Sequence, residues 1–183
     1  DERRVYVAGL SAGGAMAAIM GTTYPDVYSA VGIHSGLAYA SARDMPSAFA
    51  AMRGGSKRSK RKHGRDTSAP TVPTIVFHGD CDTTVHPSNG DLVIAQASPQ
   101  SSDQKVDSNV DARGAASVEN ASARGRTYTR TTYRDPAGKS IMEHWLVHGA
   151  GHAWSGGSAD GSYSDPDGPD ASREMLRFFL QHP

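Results

Sequence analysis

Cysteine is almost missing from this chain: one residue, Cys81, in 183, which excludes an internal disulfide and leaves the redox compartment open. An excess of charge is missing too. The 19 Lys and Arg balance the 19 Asp and Glu, so nothing global favours nucleic acid or an anionic membrane as a partner. No apolar run approaches the roughly 18 residues that a bilayer span requires, so no membrane-crossing segment is expected. No His/Cys cluster has zinc spacing. The acidic loop of Asp160, Asp165, Asp167 and Asp170 lacks the spacing of an EF-hand, so neither a metal nor a cofactor is expected. Internal repeats are absent. What remains is a chain long enough for one domain with a real core.

Short apolar runs alternate with helix-like stretches. Arg3 to Ala8 reads as a buried strand ending at Gly9, and Gly13 to Met20 as a helix of small and apolar residues stopping near Gly21. Ala30 to His34 and Thr74 to His78 read as two further buried strands, with a helix around Ser47 to Met52 between them. Pro87 to Ala97 reads as a helix capped by Ser88 or Asn89. Residues 98–125 are rich in Ser, Asp, Asn and Gly without periodicity and read as a polar surface insertion. Thr127 to Arg134 and Ile141 to Val147 read as strands. Ala171 to Gln181 reads as an amphipathic helix, its apolar face supplied by Met175, Leu176, Phe178, Phe179 and Leu180 and its cap by Asp167 or Asp170. The alternation predicts an α/β fold with a mostly parallel sheet flanked by helices, as one domain over 1–183.

Gly9-Leu10-Ser11-Ala12-Gly13 matches G-x-S-x-G in the context that gives it meaning, a strand before and a helix after. The chain must reverse within very few residues, and the small neighbours permit a strained turn that lifts the Ser11 hydroxyl above the sheet. There it faces the positive end of the helix dipole, and the backbone N–H of Ala12 is an oxyanion donor. The strand TIVFH runs into Gly79-Asp80-Cys81-Asp82, and sites in open α/β sheets lie at the carboxyl ends of strands. Asp80 and Asp82 both qualify by position. A base should come last in the chain order. Of His144, His148, His152 and His182, His152 sits in the glycine loop Gly149-Ala150-Gly151-His152-Ala153-Trp154. His148 reads as a strand-end residue that bonds locally. About seventy residues separate Ser11 from Asp82 and Asp82 from His152, enough for βα units between them.

VYVAGLSAGGAM, the HG-x-x-D-x-x-V of His78 to Val85, and GAGHAWSGG together resemble the polyhydroxybutyrate (PHB) depolymerase family of esterases, within the α/β-hydrolase superfamily. The likeness extends through YPDVYSAVGIHSG, DTTVHPSNGD and GPDASREMLRFFLQHP. It implies Ser11, Asp82 and His152 as the triad, and so Asp82 rather than Asp80. It implies hydrolysis of short-chain polyhydroxyalkanoate esters, a polyester or small ester as substrate, and an extracellular setting. Trp154, two residues past His152, is a candidate for lining the substrate groove, with a packed loop anchor as the alternative. Feruloyl and acetylxylan esterases share the wider family, so a carboxylesterase of acylated polysaccharide is the second reading. An inactive remnant or binding module is the third.

By that likeness the chain is N-terminally truncated, starting just ahead of the strand that carries the elbow. The first strands and the loop after the third strand, which donates the second oxyanion N–H, are expected to be absent. The edge left on Arg3–Ala8 is then a self-association hazard. Turnover is expected to fall about 10²–10³-fold below a complete relative. The basic connector over about 53–68 includes seven of the 19 basic residues within Arg53 to Arg65 and reads as a solvated loop. Asn120-Ala121-Ser122 fits a glycosylation acceptor. Cys81 reads as a small packing residue, since no base is spaced to activate it.

Overall fold

The computed structural model describes residues 1–54, 71–98 and 116–183. Its elements run β1 (Tyr6–Leu10), α1 (Ala12–Thr23), β2 (Ala30–His34), α2 (Met45–Met52), β3 (Thr74–Gly79), α3 (Ser88–Ala97), β4 (Ala116–Ala123), β5 (Arg126–Arg134), β6 (Ser140–Val147), β7 (Trp154–Ser155), β8 (Ser164–Asp165) and α4 (Ala171–Phe179). Six strands form one sheet in the order β1-β2-β3-β6-β5-β4. The first four in that order are parallel, and β5 and β4 continue it antiparallel as a hairpin. This is the α/β architecture expected from the alternation.

Period-two alternation along the central strands sends side chains to two cores. Val31, Ile33, Val76 and Met142 meet α1 and α3 on one face, with Ala17, Ala18, Val93 and Ile94 supplied by the helices. Ile75, Phe77, Trp145 and Val147 meet α4 on the other, against Met175, Phe178 and Phe179. Both faces of β2 and β3 are covered, which is why these strands read as continuous apolar runs rather than alternating ones.

Several boundaries differ from the sequence reading, each for a physical reason. β1 begins later and runs to Leu10, so the strand delivers the chain directly to Ser11. α1 continues through Gly21 to Thr23. Gly21 is there for contact rather than termination: a Cβ on it would lie 2.4 Å from Val31 Cγ2. In α4, Met175, Phe178 and Phe179 are buried, whereas Leu176 and Leu180 are more than half exposed. They fall outside the i, i+3, i+4 stripe that faces the sheet. Asp170 is the residue that caps α4, accepting from Arg173 N–H at 3.0 Å. Neither Ser88 nor Asn89 caps α3. Pro87 holds that position, and the buried Asn89 donates instead to the carbonyls of Ala51 and His86.

The polar stretch expected to be an insertion is, over Ala116–Ala123, the edge strand β4. Five successive exposed residues carry no alternation to read, and pairing with β5 alone organises them. Residues 99–115 of that stretch and residues 55–70, with most of the basic connector, lie outside the described residues. Within the acidic loop, Ser164–Asp165 forms β8, which pairs with β7 ahead of it, and Asp170 caps α4. Among the described residues, no helix is long and apolar enough to cross a membrane.

Candidate active site

The carboxyl ends of β1, β2, β3 and β6 lie side by side in one parallel array, so the loops that follow them open on the same rim of the sheet. Ser11 follows β1 with φ 57° and ψ −117°, a conformation that L-residues seldom adopt. Close packing of glycines underneath enforces it. A Cβ on Gly9 would lie 2.3 Å from the Gly13 carbonyl carbon, and one on Gly14 would lie 2.9 Å from Gly9 O and 3.1 Å from His34 O. Gly13 itself has open space where a Cβ would be, so Gly9 and Gly14 are the sterically required pair. Ser11 occupies the N-cap position of α1, yet its hydroxyl makes no capping bond. A serine there ordinarily satisfies a helix N–H; the Ser11 hydroxyl does not. Ala12 opens the helix, where backbone N–H groups have no i−4 carbonyl to meet.

Asp82 follows β3 in a tight turn. Its Oδ1 accepts from the N–H groups of Thr84 (2.9 Å) and Val85 (2.8 Å), which fixes the carboxylate and leaves Oδ2 for another partner. That partner is His152, whose Nδ1 lies 2.7 Å away. The bond places the imidazole proton on Nδ1 and makes Nε2 the basic nitrogen. The buried His78 lies beneath, its Nε2 donating to Val85 O at 2.8 Å and standing 3.5 Å from Asp82 Oδ2. Burial opposes ionisation of Asp82, but the polar edge of the nearby His78 and the hydrogen bonds from Val85 N–H and His152 outweigh it and hold the carboxyl well below the usual carboxylate range.

The loops that carry Asp82 and His152 are sewn together by backbone. Asp80 N–H donates to Val147 O at 3.1 Å and Cys81 N–H to Ala150 O at 3.0 Å. A Cβ on Gly79 would lie 2.2 Å from Ala150 O, so only glycine lets the two chains approach this closely. No hydrogen bond joins Ser11 Oγ to His152 Nε2 among those of the described residues. In free enzymes such bonds are often long and tighten only with substrate.

The remaining candidates have other partners. Asp80 takes His148 Nδ1 at 2.8 Å and Gly149 N–H at 2.7 Å, so it secures the start of the His152 loop. Burial works against its ionisation, but these two bonds prevail and lower its pKa. His148 also reaches Thr129 Oγ1 at 2.9 Å, so its partners come from distant strands rather than from its own neighbourhood in the sequence. His144 is lowered in pKa by burial and stands 3.7 Å from Asp91. His182 lies between the carbonyls of Phe178 and Ser140. Trp154 is part-buried, stacks on His34 at 5.2 Å and donates from Nε1 to Ser172 Oγ at 3.1 Å. Cys81 is exposed rather than packed, and a hydrogen bond to Asp80 raises its pKa, which disfavours the thiolate. Asp165 pairs with Arg126, whose guanidinium also grips Gly149 O at 2.8 Å.

Sequence reasoning missed three supporting residues: His34, His78 and Arg126. His78 stands first in the HG-x-x-D-x-x-V run and His34 lies in YPDVYSAVGIHSG, but neither run signals a supporting role. The contacts of His34 and Arg126 span long sequence separations that no local pattern records.

The family model described as esterase PHB depolymerase matches residues 1–124. The chain is 29% identical over 160 residues to poly(3-hydroxyalkanoate) depolymerase C of Paucimonas lemoignei, covering 83% of this chain and 36% of that protein. It is 28% identical over 163 residues to poly(3-hydroxybutyrate) depolymerase of Ralstonia pickettii, covering 86% of this chain and 31% of that one. It thus spans about a third of the length of these curated relatives. Among solved structures it superimposes on a PHB depolymerase from Penicillium funiculosum (TM-score 0.66, 20% identity, 99% of this chain and 52% of that one). It also superimposes on an acetyl xylan esterase from Aspergillus awamori (TM-score 0.63, 17% identity, 99% of this chain and 61% of that one). At these identities the structural likeness speaks for the fold alone.

Proposed function

The chain belongs to the PHB depolymerase esterase family, and on that premise we propose that it is a serine esterase with Ser11 as nucleophile, His152 as general base and Asp82 as the orienting acid. The observation that carries this reading is the 2.7 Å bond from His152 Nδ1 to Asp82 Oδ2, on the rim where Ser11 occupies a strained, non-capping turn. His152 Nε2 takes the Ser11 proton as the oxygen attacks an ester carbonyl, and Asp82 stabilises the imidazolium. The alcohol leaves with that proton, and water then attacks the acyl-enzyme with His152 again as base. Ala12 N–H, at the positive end of α1, stabilises the oxyanion. One such donor is worth about 10²–10³ in rate.

Short-chain polyhydroxyalkanoates are the substrate class we favour, because the curated relatives that match most of this chain are a poly(3-hydroxyalkanoate) depolymerase and a poly(3-hydroxybutyrate) depolymerase. The extracellular setting implied by the resemblance belongs to the same proposal. Reaction with a fluorophosphonate tests the chemistry: stoichiometric labelling that disappears in Ser11→Ala is expected, and absence of labelling in the parent chain points to an inactive remnant. Parallel assays on PHB film, a p-nitrophenyl ester and acetylated xylan test the substrate. Release of acetate from xylan without action on PHB overturns the polyester assignment.

A further inference from the structure

Ser11 and His152 come from opposite parts of the chain, and one buried residue touches the supports of both. His34 ends β2, beside Leu10 in the register with β1. Its carbonyl accepts the Ser11 N–H at 2.9 Å, so the backbone of the elbow is measured from His34. Its ring faces the other way into the second core, between Phe77 (5.8 Å, 15°) and Trp154 (5.2 Å, 27°). His34 Nε2 accepts the N–H of Ser155, a buried residue, at 3.0 Å. Nε2 must therefore carry the lone pair, and Nδ1–H points to Ser35 Oγ at 3.2 Å. Trp154 and Ser155 lie two and three residues beyond His152 and close its loop.

We propose that His34 is a positioning residue for the reaction, setting the distance between nucleophile and base by bonding the elbow through its carbonyl and the histidine loop through its ring. The proposal rests on the esterase reading above. An apolar residue could fill the slot between Phe77 and Trp154 but would leave Ser155 N–H without an acceptor, and the loop would move to find one. Small displacements of a base are expensive for proton transfer and cost a binding pocket little, so the effect belongs in kcat.

His34→Gln keeps an amide oxygen near the position of Nε2, and His34→Leu removes the acceptor while keeping bulk. Both are compared with the parent chain by p-nitrophenyl ester kinetics, by fluorophosphonate labelling rate and by amide exchange at Ser155. His34→Leu should lower kcat about 10- to 100-fold with KM nearly unchanged, slow labelling in parallel and speed Ser155 exchange at least about tenfold. His34→Gln should recover most of all three. Full kcat in His34→Leu, or equal impairment in both variants with Ser155 exchange unaltered, overturns the positioning role and leaves the esterase reading standing. A parent chain that neither labels nor turns over ester overturns both.

Discussion

Lowering the pH from about 7 to about 5 should cost the folded chain about 2 kcal/mol through His34 alone, and His34→Gln should remove that loss. Burial first, then the nearby His78 and His152, lowers the His34 pKa to about 3 from 6.5, with Asp82 pulling weakly the other way. The imidazole is 1% exposed, and protonating Nε2 would destroy the acceptor of Ser155 N–H. The unfolded chain binds a proton at this side chain below about pH 6.5, whereas the folded chain refuses it until about pH 3. Stability is therefore complete above the unfolded value and falls as acid is added through that window. Across the whole window the loss approaches about 5 kcal/mol, since a tenfold change in proton activity is worth about 1.4 kcal/mol. Urea unfolding of the parent chain and His34→Gln at both pH values isolates the contribution, since His144 and the carboxylates titrate in both proteins. Equal losses of stability in the two proteins would refute the account of His34 as a buried neutral acceptor.

Other perturbations follow from the same contacts. Asp82→Asn should preserve the turn held by Thr84 and Val85 while lowering kcat about 10⁴-fold, read by ester hydrolysis, because the His152 tautomer is no longer enforced. Phe178→Ala should destabilise the fold by about 3–5 kcal/mol in chemical denaturation, since this ring is fully buried against the sheet. Gly79→Ala should disrupt the junction between acid and base loops and leave little soluble folded protein by circular dichroism, whereas Gly13→Ala should be tolerated, because only the former meets backbone at 2.2 Å. Asp80→Asn should speed amide exchange of Gly149, and the parent chain should show the same loosening as pH falls through the lowered pKa of Asp80, since a depressed carboxyl contributes only while ionised.

Local chemistry determined what was legible in the sequence. The glycine-flanked Ser11, the aspartates ending a buried β-branched strand and the histidine in a glycine loop are short-range signals, because turn sterics act over a few residues. Parallel architecture was legible for the same reason, as apolar runs spaced by helix-length segments. Position in the sequence left Asp80 and Asp82 equivalent, and only the family resemblance favoured Asp82. Tertiary structure separates their partners, since the choice depends on which β6 loop residue reaches each carboxylate across nearly seventy positions: His148 for Asp80, His152 for Asp82. Strand β4 escaped for a related reason: an exposed edge strand is defined by its partner rather than by its own pattern. The role of His34 was invisible for the strongest reason. It is an ordinary strand-end residue until folding brings Ser11 to its carbonyl and, from 121 positions away, Ser155 to its ring.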